Sequence, residues 1–354
     1  MIETQDFEII RKSETSISEI DFANLPFGRV FSDHMLIAQY SKGSWSRPTI
    51  KPYGDINISP AMSAIHYGQS IFEGLKAFKS DNGETLVFRP DMNWERMNNS
   101  AQRLCMPKIP KEYFIDGIKQ LVSLDQAWVP EDPSCSLYIR PFMFATDPFL
   151  GVKPSETYTF MIITSPVGPY YAKPLHLKVE TEYTRAAMGG VGFAKAAGNY
   201  GSAMLPAKLA QDKGIDQLIW TDAKEHKYIE EAGTMNMMVV IDGKLLTAPL
   251  TSTILPGVTR DSFLTLAREA GYPVEERKVS VAELIDAQEN GTLEEVFGVG
   301  TAATIAQVEK LTFQDNTYNL APISTREISV KIGQLLLDIK KGNVNDSRGW
   351  NMTV

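Results

Sequence analysis

Residues 237–249 read MMVVIDGKLLTAP, two apolar runs on either side of Asp242-Gly243. An Asp-Gly pair tolerates the positive φ of a tight turn, so this stretch predicts a β-hairpin. Around it, DQLIWT (216–221) predicts a strand and DSFLTLAREAG (261–271) a helix closed by Gly271. EEVFGVGTAA (294–303) predicts a buried strand that breaks into a glycine turn, and Ile328, Ile332, Leu335, Leu336 and Ile339 mark a last amphipathic helix. In the first half RVFSDHMLIAQY (29–40), TLVFRP (85–90) and CSLYIRPFMFA (135–145) predict strands. KEYFIDGIKQLVSL (111–124) predicts a helix with Phe114, Ile118, Leu121 and Val122 on one face. Strands and helices mix without the regular alternation of a doubly wound sheet, which points to an α+β fold.

A chain of 354 residues is long for one core and suits two domains. The best boundary is SPVGPYYAKP (165–174), where glycine and proline follow the apolar run TFMIIT, and the expected division is 1–166, a linker over 167–177, and 178–354. With 43% hydrophobic and 22% charged residues, the composition is that of a soluble globular protein, and no apolar run approaches the roughly 18 residues of a membrane helix. The formal charge is -8 with dispersed lysines and arginines, which argues against nucleic acid as a partner and for small molecules. The opening MIETQDFEIIRKSE has neither the apolar stretch of a secretory signal nor the character of a transit peptide, so a cytoplasmic protein is expected. Cys105 and Cys135 read as two buried thiols, and the four scattered histidines offer no metal spacing. No GxGxxG or GxxxxGKS separates a strand from a helix, so dinucleotide and P-loop sites have no basis.

The chemistry-bearing candidate is Lys195, set in GFAKAAGNYGS (192–202) among residues too small to support its side chain. An amine held against small apolar neighbours loses hydration, which favours the neutral form able to attack a carbonyl; small neighbours also leave space for a flat aromatic cofactor. Taken alone, the segment reads as a solvated loop and not as a catalytic site. Pyridoxal phosphate would further demand an acid for its ring nitrogen, donors for its phosphate and a partner for its ring hydroxyl. YIEEAGTMN (228–236) offers Glu231, whose carboxylate enters an apolar strand and needs a partner there, while Glu230 reads as an exposed acid. ILPGVTRDS (254–262) turns at Pro256-Gly257 and sets the backbone N–H groups of Val258 and Thr259 at a helix start, a seat for phosphate. FGVGTAAT (297–304) repeats the arrangement with Gly300 and Thr301.

The segments IHYGQSIFEGLKAF (65–78), FRPDMNWERMNNSAQRLCMP (88–107), SLYIRPFMFATDPFLGV (136–152), KAAGNYG, EEAGTMN, ILPGVTR and FGVGTAA resemble, in order, those of the branched-chain amino-acid aminotransferases, the fold type IV pyridoxal-phosphate enzymes. The resemblance runs from about FGRVFSDHML (27–36) to FGVGTAA (297–303). It implies a small α/β N-terminal domain and a larger cofactor-binding C-terminal domain with antiparallel and mixed sheets. It also implies that Lys195 bonds covalently to pyridoxal 5′-phosphate, that Tyr200 meets the ring hydroxyl and that Glu231 holds the ring nitrogen. Arg96, Thr301 and the N–H groups of Val258 and Thr259 would bind the phosphate. Phe27, Tyr67, Phe72, Tyr138 and Tyr170 resemble the substrate side-chain pocket, with Leu150 and Val152 lent by a second protomer of a homodimer. Thr234 and the N–H of Ala302 would take the α-carboxylate, and Arg140 with Tyr67 the distal carboxylate of glutamate. The implied reaction is ping-pong transamination of leucine, isoleucine and valine with 2-oxoglutarate. A D-amino-acid aminotransferase, an aminodeoxychorismate lyase or a non-catalytic vitamin B6 binder are the alternatives on the same fold. The animal members' CxxC pair is absent: Ala303 and Ala306 stand at its positions, so redox control by that pair is not expected.

Overall fold

The hairpin forms as its sequence predicts: strands Met235–Ile241 and Lys244–Thr247 pair antiparallel, and Asp242 and Gly243 take φ of 48° and 70°. These left-handed values are what a two-residue turn requires. The computed structural model describes residues 7–354. By contacts the chain forms two compact units, each assembled from separate stretches. One holds the residues up to Tyr170 together with Ala194–Gly198 and Ile339–Val354; the other holds Tyr171–Phe193 and Asn199–Asp338.

In the second unit the hairpin belongs to a nine-stranded mixed sheet. Strand Ile229–Ala232 pairs with Gln217–Thr221 on one side and with Met235–Ile241 on the other, so the path of strands returns on itself. Leu175, Leu177 and Val179 alternate inward along their strand, the period-two pattern of a surface covered on one face. Met235–Ile241 is buried at all seven positions, which explains its unbroken apolar run. The helix Val258–Glu269 follows, with Ala270 as its C-cap and Gly271 one residue beyond at φ 84°. Gly271 thus supplies the left-handed residue after the cap rather than the cap itself.

The first unit is a ten-stranded sheet, antiparallel except where Glu8–Ile9 joins Thr49–Pro52 in parallel. Helix Lys111–Leu124 covers strands His34–Ser41 and Tyr158–Val167 with Tyr113, Phe114, Ile118, Leu121 and Val122, all buried. Gly117 lies within this helix because a Cβ there would stand 2.8 Å from Leu36 Cδ1; the close approach to the sheet outweighs the ~1 kcal/mol that helical glycine costs. A second helix, Pro90–Arg103, carries Arg96. One expectation fails just past its end: Cys135 is buried, but Cys105 is exposed, placed at φ 55° by the left-handed turn that leaves the helix. Among the described residues, no helix is long and apolar enough to cross a membrane.

Lys340 of this unit is buried and Lys76 half-buried. Burial, together with the charge of Lys76, lowers the Lys340 amine to about 7, and burial lowers Lys76 to about 8 against an opposing pull from Cys135. Lys340 Nζ lies 5.1 Å from the centre of the Phe88 ring. Between the folded value of about 7 and the ordinary 10.5, the unfolded chain binds the proton that the folded Lys340 has lost. Stability from this group therefore rises with pH across that window and is lowest below it. In urea titrations, Lys340→Met is expected to unfold at a higher midpoint than wild type at pH 6, with the difference shrinking by pH 9; a pH-independent difference would contradict the buried-charge account.

Candidate active site

Lys195 is fixed by its backbone. Ala197 N–H donates to the carbonyl of Ser70 (3.0 Å) and Phe72 N–H to that of Lys195 (3.1 Å), so the lysine segment adds to strand Ser70–Phe72. Ala194 and Ala196 are buried by this pairing, which is why the residues around the lysine are small. The N–H of Lys195 donates to Ser100 Oγ at 2.9 Å, and that hydroxyl donates to the Arg96 carbonyl one turn back on its helix, at 3.0 Å.

The ammonium of Lys195 lies 4.8 Å from the Phe72 ring centre, and the guanidinium of Arg140 lies 4.7 Å from it. Arg140 Nη2 donates to Tyr138 Oη at 2.9 Å, while its Nε is buried without a partner. Phe27 meets Tyr138 and Tyr170 edge to face at 5.1 and 4.8 Å. Six residues predicted from sequence, Lys195, Phe72, Arg140, Tyr138, Phe27 and Tyr170, thus form one chain of contacts within the first unit. Three others stand apart on its surface: Tyr67 is exposed, as are Leu150 at 66% and Val152 at 89%. Gly74 is required here, because a Cβ would fall 2.1 Å from Tyr138 Oη.

Arg96 is buried and not a surface charge. Its Nε and Nη2 each donate at 2.8 Å to one oxygen of Glu73, which is fully buried and also accepts from Asn93 Nδ2 at 2.7 Å. Burial alone would raise the Glu73 carboxyl; the charge and hydrogen bonds of Arg96, the charge of Lys195 and the Asn93 bond together hold it below its ordinary value.

In the second unit Glu231 is buried at the cross-strand position opposite Asn236. Its Oε1 accepts from Asn236 Nδ2 (2.8 Å) and Leu255 N–H (2.9 Å), and its Oε2 pairs with Arg185 at 2.9 Å. Arg185 also donates to the carbonyl of Thr253, and its Nε is buried without a partner. Tyr200, Thr234, Glu231, Asn236 and Arg185 line a cleft of ≈ 200 Å³. Gly257 is the N-cap of the helix that begins at Val258, with no side chain capping it, so the N–H groups of Val258 and Thr259 open the helix as predicted. A Cβ on Gly257 would stand 2.1 Å from Asn236 Oδ1, which ties that turn to the residue holding Glu231. Thr301 and Ala302 are half-buried in the turn after strand Leu293–Gly300.

Glu230 is not the exposed acid expected. It is half-buried, accepts from Thr253 Oγ1 at 2.6 Å, and has its Oε2 enclosed without a partner. Burial pushes its carboxyl up, more than the Thr253 bond and the charge of Arg185 pull it down. Strand alternation turns Glu230 away from Glu231 onto a face that the segment around Thr253 covers. Sequence reasoning also passed over Glu73, Asn93, Arg185 and Asn236. A lone acid in the apolar run SIFEGL signals that some cation must meet Glu73, but Arg185 lies 46 positions from Glu231 with no local sign.

A family model described as amino-transferase class IV matches residues 70–311. The probable branched-chain-amino-acid aminotransferase of Staphylococcus aureus (strain MRSA252) is 48% identical over 351 residues, covering 98% of each chain. Branched-chain-amino-acid aminotransferase 2 of Bacillus subtilis is 45% identical over 350 residues, 98% of this chain and 96% of its own. A solved structure of a branched-chain amino acid aminotransferase from T.th., complexed with N-(5′-phosphopyridoxyl)-L-glutamate, has the same fold. Its TM-score is 0.71 at 24% identity, over 89% of this chain and 97% of that one.

Gly74→Ala tests the Tyr138 and Arg140 geometry. The added methyl must displace the phenol ring and is expected to cost about 1–3 kcal/mol in urea unfolding, with a changed near-ultraviolet tyrosine signal. An unchanged midpoint and spectrum would show that Tyr138 is not held against Gly74.

Proposed function

The chain belongs to the class IV aminotransferases, within them to the fold type IV branched-chain enzymes, and from that membership we propose a reaction and a role for each site residue. It transfers the amino group of leucine, isoleucine or valine to 2-oxoglutarate, giving the branched 2-oxo acid and glutamate. The observation that carries this reading is the buried Glu231 carboxylate, clasped by Arg185 and Asn236 in a cleft it shares with Tyr200. A buried carboxylate that accepts from a pyridinium N–H and a phenol that meets the ring hydroxyl are the partners such a ring requires. The uncapped helix start at Val258 suits a phosphate, and Lys195 offers an amine.

Pyridoxal phosphate, when bound, supplies an aldehyde carbon that accepts the amino group and a protonated ring that draws electrons from the substrate α-carbon. Lys195 would hold that aldehyde carbon through its Nζ, and with a substrate in place the same Nζ would take the α-proton as a base and return it as an acid. Glu231 keeps the proton on the ring nitrogen, and Tyr200 donates to the ring oxygen. Arg96, Thr301 and the N–H groups of Val258 and Thr259 hold the phosphate. Thr234 and Ala302 N–H receive the α-carboxylate. Phe27, Phe72, Tyr138 and Tyr170 surround an apolar side chain, and Arg140 receives the distal carboxylate of glutamate. One pocket then serves two unlike substrates, because the Arg140 guanidinium is stacked on the aromatic rings instead of standing alone among them. The exposed Leu150 and Val152 support a homodimer in which each protomer lends these side chains to the other. A cytoplasmic location is proposed from the sequence alone.

Two substitutions test these roles. Borohydride should trap the cofactor on wild-type protein but not on Lys195→Ala; trapping at another internal lysine would overturn the assignment. Glu231→Ala should keep part of its cofactor binding and lose on the order of 10²–10³ in kcat, the usual cost of removing one partner from developing charge. Turnover is read with leucine, isoleucine or valine and 2-oxoglutarate, and an unchanged kcat would refute the role of Glu231.

A further inference from the structure

The first unit contains a buried acid to which the reaction assigns no task. Glu73 grips one of the groups proposed to meet the cofactor, Arg96, by two parallel bonds of 2.8 Å through Nε and Nη2. Two parallel bonds fix more than a distance. A guanidinium is planar, so a carboxylate seated on one edge sets the plane of the whole group and with it the direction of every other N–H. The carboxylate is itself immobilised. Asn93, three residues before Arg96 on the same helix, donates to Oε2 at 2.7 Å, and the N–H of Gly74 donates to the same oxygen at 3.2 Å. Four donors, three on Oε2 and one on Oε1, hold the carboxylate in a single orientation.

The helix that carries Arg96 is also tied to the lysine, through Ser100 and the N–H of Lys195. Glu73 follows Phe72, whose N–H bonds to the Lys195 carbonyl. Arg96, Glu73 and Lys195 are thus held by one short network of backbone and side-chain bonds within one unit, and the Glu73 carboxylate feels the charge of both cations.

We propose that Glu73 is a positioning residue for phosphate recognition: it aims the Arg96 guanidinium at the phosphate group of the cofactor and makes no contact with the cofactor itself. This deepens the reading above and rests on its assignment of Arg96 to the phosphate. Neutralising Arg96 is not the purpose, since the phosphate dianion would do that; what the dianion cannot do is hold the empty site in the geometry that receives it.

The consequence is selectivity between two forms of vitamin B6. Apoprotein is titrated with pyridoxal phosphate and with pyridoxal, following the visible absorbance. Glu73→Gln is expected to raise the Kd for pyridoxal phosphate by about tenfold or more, and to leave the Kd for pyridoxal within about twofold of wild type. A general structural role would weaken both equally, and either that result or no change in either Kd would overturn the proposal. The double variant Glu73→Gln/Arg96→Met separates this claim from the one beneath it. If Glu73 acts through Arg96, its substitution adds no further loss in the Arg96→Met background, whereas additive losses would contradict it. Should Arg96→Met alone weaken pyridoxal phosphate no more than pyridoxal, it is the assignment of Arg96 to the phosphate that fails. If Glu73→Gln does not fold, Glu73→Asp is read in the same way. It keeps the charge but is one methylene too short for both bonds, so it should weaken pyridoxal phosphate selectively, and equal weakening of the two ligands would again overturn the proposal.

Discussion

Strand Ser70–Phe72 has two edges, and everything at the lysine depends on how the second is used. One edge pairs with Ser136–Ala145; the other takes up the Lys195 segment by backbone hydrogen bonds. Backbone pairing is indifferent to side-chain length, so it can hold a long flexible side chain by its root without restricting its tip. It also imposes alternation: Ala194 and Ala196 go inward, and Lys195 between them is turned to the other side, over the Phe72 ring. Larger residues at 194 or 196 would push the segment off the edge and the amine away with it. The small neighbours that look like a lack of support are the support.

Buried carboxylates recur with a common solution. Glu73 faces Arg96 and Asn93, Glu231 faces Arg185 and Asn236, and Glu295 caps the final helix by accepting from the N–H groups of Glu327, Ile328 and Ser329 at 2.7–2.9 Å. In each, an acid removed from water recovers its lost hydration through several fixed donors. Glu230 departs from this rule, with one oxygen enclosed and unpartnered, and burial pushes its carboxyl up. Glu73 and Glu231, both well supplied with donors, lie beside groups proposed for catalysis, where a fixed charge has a use. Such sites need rigidity more than they need net stability, because a charge that reorients during the reaction would give back what it contributes.

Elements with a strong local period were legible. The hairpin at Asp242-Gly243, the helices Lys111–Leu124 and Val258–Glu269 and the final helix Ile328–Lys341 follow from spacing and turn chemistry alone. What spacing missed has one character: it depends on what covers a residue. Cys105 and Glu230 were misjudged in opposite directions, one exposed by a left-handed turn and the other covered by a segment more than 20 positions away. Arg96 sits on a helix whose composition suits a surface, and the acid at Glu73, 23 positions earlier, meets its charge where it is buried. Tyr138 and Gly74 are likewise unremarkable until the two are seen to compete for the same volume.

The sequence by itself determined the α+β class, the order of most elements and the family, because each is encoded in local periodicity or in contiguous motifs. Tertiary structure alone decided that Ala194–Gly198 and Ile339–Val354 keep company with the residues up to Tyr170, and that Glu73 grips Arg96 and Arg185 grips Glu231. The physical reason is that a buried charge is tolerable only beside its partner, and partners brought together by folding leave no trace in the spacing of either one.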